Sequence, residues 1–172
     1  MNTTTGEQVS YTLNYGGGGN ASGFLVRDTV AMGSFQVPLQ PWLLVNQTSS
    51  GFLDGVGGAG IMGLAFNTIA VIGVAPFWQV LASGGAFSTP EMSFWITRGS
   101  NDPNAPKETF GGIFTLGGQN QTSYQGDIEF LPLVTDNGKL TFWLLNVSGT
   151  CRIYLCATPP PHTSLQCYSA RR

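Results

Sequence analysis

Charge is what this 172-residue sequence has least of: charged residues make up 9%, against about 25% in an average soluble chain. Seven Lys and Arg stand against nine Asp and Glu, for a formal net charge of -2. Long solvent-facing helices laced with ion pairs are therefore excluded. With the few cations scattered, there is no basic footprint for a phosphate backbone or an anionic lipid surface, so neither nucleic acid nor membrane is expected as a partner. Cysteine is missing from the first 150 residues, and Cys151, Cys156 and Cys167 leave an odd thiol over. The single histidine, His162, follows Pro159, Pro160 and Pro161, a poor setting for an imidazole held against a nucleophile, which excludes a Ser-His-Asp triad. Cys151, Cys156, His162 and Cys167 could offer four soft ligands, but their spacing lacks the two-residue knuckle of zinc sites, so no metal is expected. The polar start, Met1 to Gln8, has no apolar stretch of the kind a signal peptide needs.

What is present favours a folded chain. Hydrophobic residues reach 42% and aromatics 12%, whereas disordered chains are poor in both. The length suits one domain with a tail, and the composition shift near Gly149 sets the division at 1–149 for the domain and 150–172 for a Cys- and Pro-containing tail, expected to be disordered and to fit a misread exon better than an evolved module.

Glu7 to Tyr15 alternates polar and apolar residues, which puts Val9, Tyr11, Leu13 and Tyr15 on one face of a strand. Gly16 to Gly19 make a turn. Phe24 to Met32 reads as a second strand, and Phe35 to Val45 as a third, interrupted by Pro38 and Pro41. From Gly55 to Pro90 no residue is charged. Ile61 to Leu81 is apolar enough to raise a membrane span, but Asn67, Pro76 and Gln79 lie inside it and no Lys or Arg flanks it. A buried segment with a short helix around Phe77 to Leu81 is expected instead. Met92 to Thr97, Gly112 to Leu116, Asp127 to Leu131 and Thr141 to Leu145 read as further short strands, so the fold class is all-β.

Two further motifs carry chemistry. Gly55-Val56-Gly57-Gly58-Ala59-Gly60 matches a dinucleotide-binding glycine pattern, but Ser49-Ser50-Gly51 precedes it where a hydrophobic strand is required, and the next acid is Glu91. No nucleotide cofactor is expected. Sequons stand at Asn2, Asn20, Asn46, Asn120 and Asn146, and so many in a chain this poor in charge point to an exported, glycosylated surface.

Seven segments then fall in an order that resembles the pepsin-like aspartic proteases (peptidase A1), above all the fungal members. They are the Tyr15-Gly16 hairpin tip, Asp28-Thr29-Val30, Gly60-Ile61-Met62-Gly63-Leu64-Ala65, Pro76-Phe77-Trp78, Met92-Ser93-Phe94-Trp95, Thr115-Leu116-Gly117-Gly118, and the run from Tyr124 to Leu133 with Phe142-Trp143-Leu144-Leu145. The resemblance runs from about Glu7 to Val147. It implies part of a bilobal fold: the flap hairpin with the rest of the N-terminal lobe, and the start of the C-terminal lobe.

The family's activity is peptide-bond hydrolysis at acid pH, by two aspartates that share a proton and activate water. Each stands in an Asp-Thr/Ser-Gly triplet. Asp28, Asp54, Asp102, Asp127 and Asp136 are followed by Thr29-Val30, Gly55, Pro103, Ile128 and Asn137, so no catalytic residue is assigned, and the chain is expected to begin after one triplet and diverge before the other. By resemblance Tyr15 is the flap tyrosine, and Gly16 and Gly17 offer backbone groups to an extended peptide or protein substrate. Gly17 replaces the family's usual Thr or Ser, which implies a floppier tip. Phe52 and Ile61 resemble residues lining the pocket under the flap, and both also suit a core. Ala59 stands where many relatives have Asp. No cofactor is implied, and a monomer is expected, secreted or vacuolar in the complete family member. The alternatives are a non-catalytic peptide-binding module and a secreted structural β-glycoprotein.

Overall fold

The computed structural model describes residues 9–52, 59–96 and 110–146, together with the backbone of 153–154 and 166–169. The chain divides into two compact units, Met1–Val80 and Leu81–Arg172. Its described regular elements are mostly strands, with one short α-helix, as the all-β reading expects.

The first unit is built on a three-stranded antiparallel sheet, β1 (Ser10–Asn14), β2 (Asn20–Met32) and β3 (Phe35–Thr48), in the order β1-β2-β3. The alternation read in the sequence is present in β1: Tyr11 and Leu13 are half-buried, and Ser10, Thr12 and Asn14 face solvent. Only Gly33 and Ser34 join β2 to β3, with Met32 paired to Phe35. Gly33 has φ +58°, the conformation that the first residue of such a two-residue loop demands.

The expected interruption of the third strand by proline is corrected: β3 runs unbroken to Thr48. Two features accommodate the prolines. Among the described strands β3 has only β2 as neighbour, and a proline without an N–H is tolerated on an edge. The register also slips: Asp28 pairs with Gln40 and Val30 with Val37, so Thr29 alone faces both Pro38 and Leu39. Leu39 absorbs this bulge with φ +54°. A second slip lies further along, where Ser22 pairs with Gln47 and Gly23 with Val45.

Pro76 opens α1 (Phe77–Ser83), and its carbonyl accepts from the amides of Gln79 and Val80. The ring restricts the backbone to helix-compatible angles and has no N–H to waste. Trp78 is 1% exposed, meets Phe66 edge to face at 5.5 Å, and donates its indole N–H to the Ala65 carbonyl at 3.1 Å. Gln79 exchanges hydrogen bonds with Asn67 at 3.1 and 3.4 Å. These contacts tie the Gly-Ile-Met-Gly-Leu-Ala segment to the helix. No described helix is long and apolar enough to cross a membrane.

In the second unit β4 (Met92–Ile96) pairs antiparallel with β5 (Gly112–Leu116), and the cross-strand pair Phe94 and Phe114 stacks at 4.6 Å. Thr97 lies outside the described residues. Of the strand expected over Asp127 to Leu131, only β6 (Leu131–Pro132) forms, and Thr141 to Leu145 carries no strand ladder. There the backbone closes through a turn instead. Asn137 and Gly138 both have positive φ, at 47° and 76°, the Asn-Gly arrangement of a tight hairpin turn, with Asp136 and Lys139 bridged across it. Within 150–172 the described backbone forms β7 (Ile153–Tyr154) and β8 (Gln166–Ser169). β8 pairs with both β6 and β7.

Candidate functional site

The tip of the β1–β2 hairpin is a five-residue loop from Tyr15 to Gly19, closed by the Asn14–Asn20 pair. The Tyr15 amide donates to the Gly19 carbonyl at 2.9 Å, and the Gly18 amide to the Tyr15 carbonyl at 3.0 Å. Gly18 sits at φ +87°, which a side chain would resist. A Cβ built at Gly16 or Gly17 meets nothing within 4 Å. The tip therefore presents its backbone to open space.

The base of the tip is tied to a second segment. Asn20 donates its amide to the Ser49 hydroxyl at 2.9 Å, Ser49 donates its amide to the Asn20 carbonyl at 3.0 Å, and Phe52 donates its amide to the Ser49 carbonyl at 3.2 Å. This doubly hydrogen-bonded turn brings Phe52 onto the hairpin. The rings of Tyr15 and Phe52 lie 4.6 Å apart at 36°, within the range where aromatic pairs add about 0.5–1.5 kcal/mol beyond simple burial. Gly19 makes the approach possible, since a Cβ there would overlap the Phe52 ring.

Of the five residues nominated from the sequence, the structure thus places Tyr15, Gly16 and Gly17 on one turn and brings Phe52 against Tyr15. Ile61 stands 58% exposed. Asn20, Asn46 and Asn120 are described with their whole sequons. Asn2, and the residues after Asn146, lie outside the described residues. Among the described residues no three His, Cys, Asp or Glu gather in a way that could hold a metal ion.

Sequence reasoning missed one polar arrangement in the second unit. Glu91 is buried, and its Oε2 accepts from the Gln119 amide at 3.5 Å. Gln119 in turn accepts the Tyr124 hydroxyl at 2.7 Å. Burial pushes the Glu91 carboxyl above its ordinary range, and the Gln119 hydrogen bond opposes the shift. Gln119 and Tyr124 line an open depression of about 420 Å³ with Asp127 and Phe130. A lone Glu and a distant Gln carry no spacing signal, so only the β4–β5 pairing shows that they meet.

The aromatic-anchored hairpin, the segment held under Trp78 and the short proline-opened helix define an all-β, pepsin-like arrangement. The chain belongs to the eukaryotic aspartyl protease family, which it matches over residues 2–157. Major aspartyl peptidase 1 of Cryptococcus neoformans var. grubii is 36% identical over 135 residues, covering 78% of this chain and 27% of that protein. Cathepsin D of Dictyostelium discoideum is 33% identical over 78% of this chain and 32% of its own length. Rhizopuspepsin-2 of Rhizopus niveus is 29% identical over 82% and 34%. The chain thus spans between 27% and 34% of the length of these three relatives.

Proposed function

We propose that this chain supplies the substrate-covering hairpin of an aspartic endopeptidase, and that it does not cleave peptides by itself. Hydrolysis by this family needs two carboxylates to hold and activate water, and none of the five aspartates is followed by Thr-Gly or Ser-Gly. The observation that carries the reading is Tyr15 braced on Phe52 at 4.6 Å beneath a tip of unobstructed glycines. An extended peptide laid along that tip would exchange main-chain hydrogen bonds with Gly16 and Gly17, and the Tyr15 ring would limit where its side chains sit. The natural setting is secreted or vacuolar, the partner is an extended peptide or protein, and the chain acts as a monomer.

Amide NMR during titration with a statine-type peptide inhibitor tests this. Shifts are expected at the amides of residues 15–19 and at Phe52, and Tyr15→Ala should abolish them while leaving the β2–β3 amides in place. A titration that moves only residues remote from this hairpin, or that Tyr15→Ala leaves intact, would remove the flap assignment.

A further inference from the structure

We propose that Asn46 is an N-glycan acceptor whose sugar shields the edge of the first sheet. Asn46 is the extra residue of the second β3 bulge: Val45 pairs with Gly23 and Gln47 with Ser22, leaving Asn46 without a cross-strand partner. Its side chain is exposed, as is Thr48, the hydroxyl residue of its sequon. The other two fully described sequons are engaged. Asn120 caps the 3-10 helix at Gln121–Ser123, its Oδ1 accepting from the Thr122 amide at 3.1 Å and the Thr122 hydroxyl at 2.8 Å. At Asn20, the hydroxyl residue of the sequon, Ser22, is bonded to the Thr12 hydroxyl at 2.8 Å.

The surroundings give the sugar something to do. Leu44 and Val45, just before Asn46, are 49% and 42% exposed, and no described strand pairs with the outer edge of β3. An exposed apolar edge is a template for pairing with another chain, which proteins usually blunt with Lys, other charges, proline or bulges. From Phe35 to Thr48 β3 contains no charged residue. Its prolines stand at 38 and 41, leaving 42–48 with the bulge alone. A branched, hydrated oligosaccharide at the bulge would occupy the space that an approaching strand needs.

The transfer is a substitution at the anomeric carbon of a lipid diphosphate-linked oligosaccharide. Asn46 Nδ2 bonds to that carbon and gives up one proton, and the carbon–oxygen bond to the lipid diphosphate breaks. No electrons are gained or lost.

The test places the full chain behind a cleavable secretory leader in a translation system containing endoplasmic-reticulum microsomes, and again in a secreting eukaryotic host. Enzymatic glycan removal in heavy-oxygen water should convert Asn46 to labelled Asp. Asn46→Gln and Thr48→Ala should each lose one glycan step on a gel and lower the soluble yield, and adding Val45→Lys to Asn46→Gln should restore that yield. Asn46 unmodified in translocated chain would overturn the site, and loss of the glycan with unchanged soluble yield would overturn the shield. Because the leader enforces translocation, neither outcome depends on whether the protein is naturally exported.

Discussion

Glu91 shows how one side chain can set the pH response of its surroundings. Folded, its carboxyl is buried and holds its proton to higher pH than an exposed glutamate does; unfolded, it ionises in the ordinary range. Between those two values the folded state binds more protons, so stability falls as pH rises through the window and is fully present below it. Gln119 softens the shift, since its amide donates to the carboxylate. Glu91→Gln removes the titration and is expected to flatten the dependence of thermal unfolding on pH in the mildly acidic range. Melting curves followed by circular dichroism across that range provide the check, and an unchanged slope in the variant would assign the dependence to other groups. Glu91 is also the residue at which sequence reading had least to say, because its partner lies 28 positions away and only strand pairing brings the two together.

Among the elements, the hairpin was the most legible. Period-two alternation and a glycine run are local signals, and β1, the turn and β2 follow from them. The helix opened by Pro76 was legible for the same reason. The third strand is less legible because proline reads as a breaker, while the two facts that tolerate it, an edge position and a bulge at Leu39, belong to the sheet and not to the strand. The approach of Phe52 to the hairpin is suggested by the family resemblance and by no local signal, since it depends on Gly19 leaving room. Gly19→Ala is expected to push the Phe52 ring off Tyr15 and to destabilise the first unit by about 1–3 kcal/mol, the usual range for overpacking. Denaturant unfolding measures the loss, and near-ultraviolet circular dichroism reports the aromatic pair. A variant with wild-type stability and an unchanged aromatic signal would show that the packing of Phe52 on the hairpin is not a constraint.

For the molecule as a whole, family membership was legible because seven short segments occur in register, none of them decisive alone. Several have a structural reason to stay together: the hairpin needs its glycines, the Gly-Ile-Met-Gly-Leu-Ala segment needs the Trp78 indole on the Ala65 carbonyl, and β4 and β5 need the Phe94–Phe114 stack. None of those reasons is catalytic. On the function proposed above, the segments that carry the resemblance make the scaffold and cover of a peptide site, and the chemistry of the family rests on two carboxylates in a triplet that this sequence does not contain. Incubating the purified chain with acid-denatured globin at about pH 3 to 5, where a shared-proton carboxylate pair would be active, tests that division of labour most directly. The globin is expected to remain intact over a time in which a complete aspartic protease digests it; cleavage by this chain alone that a statine-type inhibitor stops would contradict the account.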